Sequence, residues 1–440
     1  EDLQKRLLKP DEALLSYVLL PQETVIFAVT RDDFRMVVAR VKRSTIVERV
    51  LRIRRSIEKV AIGESVLFLR DIDPDTLSSL YRDLVEPVAA TIGARQKVLV
   101  VADGPLQTIP LEFLVSEYTA AQRAAFERAK DAADGSAEHP YLAEYADLAY
   151  LSKRYRFAYL PSLSALVSQR LYPKSSGATK LDLVAFADPL FNPDGARRMP
   201  DQTLKALTQL NVGFGKTASG TPAIPPLKET AEEAKEIARV LGGATQLYVG
   251  EQAQERVAKA DAGLRSARFV LFATHGFLGG EYIASDQPLE EGEVRRTSSS
   301  QAQPALALTL VGDLKGEDGL LTMKEVIEDL ELNAELVALS ACNTAGESAQ
   351  ASNGEGFAGL TRAFMYAGAR SLLVSHWSVD SLSTQELMTS TFRNIKAGMP
   401  ALSAVNDAQR RLIGEGYTRG QYHFSRAHPF FWAAFVYVGD

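Results

Sequence analysis

RFVLFATHG, residues 268–276, is an apolar run that stops on a histidine and a glycine. ELVALSAC, residues 335–342, has the same form and stops on the chain's one cysteine, Cys342. Short apolar runs closed by polar turns read as strands covered on both faces by helices. The same form recurs in KVLVVAD (97–103), LVAFADP (183–189), QLYVG (246–250), ALALTLVG (305–312), RSLLVSHW (370–377) and AAFVYVG (433–439). Between several of them lie segments of helical period: KETAEEAKEIARVLGG (228–243), SNGEGFAGLTRAFMYAG (352–368) and STQELMTSTFRNIKAG (383–398). Strand and helix in alternation predict an α/β fold with a mainly parallel sheet sandwiched by helices.

In such sheets the reactive groups collect at the carboxyl ends of the strands. His275 and Cys342 both close a strand, so both are expected at one edge. Taken singly, a lone cysteine reads as a small buried hydrophobe and a strand-end histidine as hydrogen-bonded structure. Together they match cysteine-dependent acyl transfer, which needs an ionisable thiol, a proton donor for the leaving amine and backbone N–H groups for the oxyanion. The turns after the two strands would supply those N–H groups from Gly276 and Cys342.

The 440 residues are 46% hydrophobic and 24% charged, enough for two domains. A net charge of −6 argues against a nucleic-acid backbone or an anionic membrane as partner. The basic run Arg49, Arg52, Arg54, Arg55 and Lys59 alternates with aliphatic residues at helical spacing and reads as a solvated helix face. One cysteine excludes an internal disulfide and a cysteine-rich zinc site, and suits a reducing cytoplasm. The opening EDLQKRLLKPDEALLSYV lacks the apolar centre of a signal peptide, and no apolar run approaches the ~18 residues of a membrane helix. It reads as a chain that starts inside something longer. No metal or cofactor motif is present, and neither G-x-x-x-x-G-K-[ST] nor a strand-linked G-x-G-x-x-G occurs.

VIFAVTRDDFRMVVARV (25–41) reads as a β-hairpin turning at Arg31-Asp32-Asp33. Residues 191–226 and 279–304 are rich in Gly, Pro, Ser and charge. The first is expected to link two halves, the second to form a long surface loop rooted beside His275, either a tolerated surface insertion or a gate over the cleft with Arg295 and Arg296 open to self-cleavage.

The segments LFATHGFL, LALTLVG, GLLTMKEVIEDLEL, ELVALSACNTAGES, GEGFAGLTRAFMYAGARSLLVSHWSVD and HPFFWAAFVYVGD resemble, in content and order, the successive motifs of the CHAT domain. Upstream, DGPLQTIPLEFL, YLPSLSAL, FADPLF and PLKETAEEAKEIARVL extend the resemblance over nearly the whole chain. It implies a caspase-like, separase-related cysteine peptidase fold of clan CD, often joined to tetratricopeptide repeats. His275 takes the family's His-Gly position and Cys342 its Ser-Ala-Cys position, a dyad without an obligatory third acid or a cofactor. The implied organisation is a non-catalytic, pseudo-caspase-like α/β half, residues 1–225, before a caspase-like peptidase half, residues 226–440. The first half holds one histidine, His139, and no cysteine.

The resemblance further implies a protein substrate, and a regulatory protein or upstream repeats as partner. Asp380 stands where related peptidases line the pocket for the residue before the scissile bond, and would pair with Arg or Lys; as a helix N-cap it would be structural. His376 replaces an apolar residue common in relatives and would bring a second histidine near the cleft. Asp188 and Trp432 read as turn and core. The alternative is a catalytically silent CHAT fold serving as an interaction module.

Overall fold

The computed structural model describes residues 3–61, 65–172, 179–194, 197–209, 224–277, 304–340, 355–377 and 381–440. In chain order its first strands are β1 (Glu12–Leu19), β2 (Thr24–Thr30), β3 (Phe34–Ala39), β4 (Lys97–Val101) and β5 (Arg156–Tyr159). Then come β6 (Leu181–Ala187), β7 (Thr245–Val249), β8 (Ala267–Ala273), β9 (His275–Phe277), β10 (Ala305–Ala307) and β11 (Leu320–Thr322). The last are β12 (Leu336–Leu339), β13 (Ser371–Ser375), β14 (Gly416–Arg419), β15 (Tyr422–Ser425) and β16 (Phe435–Gly439).

The chain folds into two compact units, one of residues 1–175 with 376–440, the other of residues 176–375. This division is not the cut at residue 225 read from the sequence. Residues 376–440 join the first unit because β16 pairs with β5, an association of segments remote in the chain. Nor do the described residues of the Gly- and Pro-rich stretch 191–226 form a linker. The stretch contains the helix Asp201–Gln209, and its Phe191, Met199, Leu207 and Ile224 enter the second unit's core beside Phe277, Leu310 and Leu320.

In the first unit the strand order is β3-β2-β1-β4-β5-β16. The expected hairpin is β2 and β3, antiparallel; β1 joins it on the other side and pairs in parallel with β4. The helix Arg43–Ala61 follows. Its basic run is not wholly solvated: Arg54 is 2% exposed, and its Nη1 donates to the His376 carbonyl at 2.7 Å. A guanidinium on the apolar side of a helix looks like a solvated charge until the acceptor chain is placed against it.

In the second unit β13-β12-β8-β6-β7 run parallel throughout. Every residue of β12 and β13 is buried, as is all of β8 except Arg268, which is what continuous apolar runs require. A small antiparallel sheet, β11-β10-β9, stands beside them. The run 305–312 pairs only over Ala305–Ala307. Beyond it, the amides of Leu308, Thr309 and Leu310 donate to the carbonyls of Gly319, Ala253 and Leu190. The helix Glu229–Leu241 buries Thr230, Ala234, Ile237 and Leu241 along one stripe and ends on Gly242 in the left-handed conformation (φ 67°). The stretch 279–303 lies outside the described residues.

One ionic cluster holds distant parts of the first unit together. The Arg170 guanidinium donates to both oxygens of the fully buried Glu12 carboxylate (2.7 and 2.8 Å) and to Asp440, while Lys97 reaches Asp440 at 2.8 Å and Glu12 at 3.2 Å. Burial alone would raise Glu12; Arg170, the Lys9 amide and Lys97 together hold it below its ordinary 4.5. A carboxylate held low contributes stability above its unfolded pKa and loses it as pH falls. We expect Arg170→Leu to destabilise the protein by about 3 kcal/mol at pH 7, because it strands a buried charge. The gap to wild type in urea unfolding should narrow as the pH falls below 4.5 and through the lower pKa of folded Glu12.

Candidate active site

β8 ends at Ala273, two residues before the histidine. Thr274 turns the chain: it is fully buried and its hydroxyl donates to the Ala307 carbonyl, so the backbone leaves the main sheet and pairs with β10 instead. His275 therefore opens β9 opposite Ala307 and is not the last residue of a main-sheet strand. Gly276 likewise lies within β9 opposite Leu306, rather than in a turn.

The His275 ring is 7% exposed and packs against Phe191, ring centroids 5.0 Å apart. Its Nε2 lies 2.8 Å from the Pro225 carbonyl oxygen. A carbonyl only accepts, so Nε2 carries the hydrogen and Nδ1 is the basic nitrogen of the neutral ring. Burial lowers the imidazole pKa from 6.5, opposed in part by the Pro225 carbonyl and by the charge of Glu229. The ring is a neutral base at pH 7.

Three carboxyls collect about the helix that begins just after Pro225. Glu229 opens it, and its charge acts on His275, Asp188 and Glu233 alike. Asp188 follows β6 directly, with a left-handed backbone (φ 46°) and its amide donating to the Thr230 hydroxyl at 2.8 Å. Burial, then Glu229, raises its carboxyl pKa. This is the expected turn aspartate, in a conformation unusual for a residue other than glycine. Glu233 is 3% exposed, with Oε2 3.5 Å from the hydroxyl of Ser340, the residue after β12.

Cys342 and Asp380 lie outside the described residues. His376 belongs to the first unit, where it is wholly buried, its amide donating to the Ala434 carbonyl at 2.8 Å and its ring beside Trp377. Trp432 is also fully buried, its indole N–H donating to the Ala427 carbonyl at 3.0 Å. The Pro225 carbonyl, Phe191 and Glu233 escaped the sequence reading. Only Glu233 left a signal, an acid on the apolar stripe of its helix. For a metal, the described residues offer Glu255, Glu317 and Glu325, whose oxygens lie within 4.8 Å of one another. The Lys259 ammonium already sits among them, 2.5, 2.9 and 2.6 Å from the three, and supplies the positive charge.

The CHAT domain family model matches residues 74–440. This chain belongs to the CHAT domain family. It is 24% identical over 389 residues to human tetratricopeptide repeat protein 28, which covers 83% of this chain and 13% of that protein. Against the mouse protein of the same name it is 28% identical over 232 residues, 49% of this chain and 9% of the relative. The chain thus spans a small part of these relatives. Among solved structures it resembles Saccharomyces cerevisiae separase in its complex with securin, with a TM-score of 0.50 and 10% identity over 100% of this chain and 30% of that one. That likeness concerns the fold. A large, mostly parallel sheet flanked by helices is common to the CHAT chain and the caspase-like folds. No helix among the described residues is long and apolar enough to cross a membrane.

In the CHAT chain the His275 proton should be visible directly. Its imidazole resonance, assigned by its loss in His275→Gln, should titrate with a midpoint below 6.5, and Phe191→Ala, by admitting water, should move the midpoint back toward that value.

Proposed function

We propose that this CHAT chain is a cysteine endopeptidase in which His275 and Cys342 act as a dyad on a protein substrate. The observation that carries the reading is the contact of His275 Nε2 with the Pro225 carbonyl at 2.8 Å: the carbonyl accepts the Nε2–H hydrogen bond, so Nδ1 is the base. A second supports it. β8 and β12 are parallel neighbours, with Leu336 opposite Phe269 and Leu339 opposite Phe272, so the segments that lead on to His275 and to Cys342 leave the sheet at the same edge.

In the proposed reaction the Cys342 thiol passes its proton to His275 Nδ1 as sulfur attacks the scissile carbonyl. The oxyanion rests on backbone N–H groups, with Gly276 and Cys342 as the candidates. The imidazolium returns the proton to the departing amine, leaving a thioester. Water, deprotonated by the same imidazole, releases the acid and restores the thiol. Asp380 would select Arg or Lys before the scissile bond. Repeats elsewhere in a longer protein, as in the tetratricopeptide repeat relatives, would bring substrate or regulator.

Cys342→Ala should abolish cleavage of a protein and Arg-ending peptide panel, and His275→Ala should slow it by about 10²–10⁴-fold. Asp380→Asn should depress turnover of Arg- and Lys-ending peptides more than that of other peptides. A chain whose thiol is alkylated no faster than free cysteine, and which cleaves no member of the panel, would be a CHAT fold used as an interaction module.

A further inference from the structure

Glu233 has no place in the dyad, yet it is a carboxyl buried within the second unit. It lies on the helix Glu229–Leu241 among Thr230, Ala231, Ala234, Ile237 and Leu241, where an aliphatic side chain would serve the packing. Its side chain is buried. Oε2 lies 3.5 Å from the Ser340 hydroxyl and Oε1 has no hydrogen-bond partner among the described residues. An acid that only filled space would be replaced at a gain in stability, because a buried polar atom without a partner costs about 1–3 kcal/mol.

The position of that contact is specific. Ser340 is the residue directly after β12, and Cys342 follows two residues later. Two peptide units span at most about 7 Å, so what holds Ser340 constrains where the cysteine starts from. Burial, against the Ser340 hydroxyl, pushes the Glu233 carboxyl up to about 7, and the charge of Glu229 adds to the rise. Below neutrality it is a neutral acid, able to accept from Ser340 through one oxygen and donate through the other.

We propose that Glu233 is a positioning residue, a buried carboxyl that braces Ser340 and so sets the segment carrying Cys342. The proposal rests on the peptidase reading and deepens it. Glu233 touches no reacting atom; it acts through the strand end. A carboxamide of the same shape keeps one acceptor and a donor, whereas a methionine of similar volume keeps only the packing.

The test uses the full chain and an Arg-ending peptidyl acyloxymethyl ketone, which alkylates a thiol by releasing a carboxylate. With one cysteine in the sequence, the covalent adduct reports Cys342 alone. Glu233→Met should keep or raise the melting temperature and leave KI unchanged, while the inactivation rate constant falls about tenfold, the scale of one hydrogen bond withdrawn. Glu233→Gln should restore the rate to within about twofold, since it keeps the hydrogen-bonding pattern. Ser340→Ala should slow inactivation as Glu233→Met does. If Glu233→Met reacts at the wild-type rate while His275→Ala is slow, the brace is refuted and the dyad stands. If His275→Ala also reacts at the wild-type rate, the peptidase reading itself falls, and the brace with it.

Discussion

Parallel pairing of β6, β8 and β12, with side chains buried on both faces, is the constraint on which the second unit depends. Parallel strands need crossovers, so each strand leads through a helix or long segment back to the same starting edge. Their carboxyl ends then share the opposite edge. Asp188, Thr274 and Ser340 are the residues that follow β6, β8 and β12. Since β6 meets β8 with Ala187 opposite Ala273, and β8 meets β12 with Phe272 opposite Leu339, the exits of β6 and β8 are level and that of β12 comes one residue earlier. Residues far apart in the chain gain a common locality from the sheet alone.

Burial at that edge decides the chemistry of what stands there. An imidazole surrounded by Phe191 and backbone is pushed toward its neutral form, and a single carbonyl, that of Pro225, selects its tautomer. The same low-polarity surroundings raise Asp188 and Glu233, where a solvated carboxyl would be anionic well below pH 7. Glu229, at the positive end of its helix, is the charge to which all three respond. Acids and base are thereby brought toward neutrality from opposite sides.

The first unit handles buried acids in two other ways. Glu12 stays ionised because Arg170 meets both its oxygens and Lys97 stands near. Among the described residues no such cation meets Glu112; it accepts the Tyr159 hydroxyl at 2.6 Å, and burial pushes it up to about 7. A pair with a guanidinium fixes chain segments to each other, whereas the tyrosine contact satisfies a group that burial has made neutral.

Apolar runs and helical periods were enough to predict a mainly parallel α/β chain, the hairpin of β2 and β3, and the helices that follow β6, because burial on both faces of a strand leaves a direct trace in composition. The order of motifs placed the chain in the CHAT family for the same reason: local stretches carry local signals. His275 was legible as a candidate because it and the one cysteine, Cys342, close apolar runs of the same form. Its true place, one turn beyond β8 in a separate small sheet, was not, since Thr274 leaves β8 only when the Ala307 carbonyl is there to accept its hydroxyl. The division into units also escaped, because β16 joins β5 across more than half the chain and no composition records such a pairing. Arg54 looked like a solvated charge and Phe191 like part of a linker for one reason: whether a side chain is buried depends on what packs against it. The sequence by itself determined which residues could do acid–base and thiol chemistry. Only the tertiary structure decided the protonation and tautomer of the histidine, because both follow from desolvation and from a carbonyl fifty residues away.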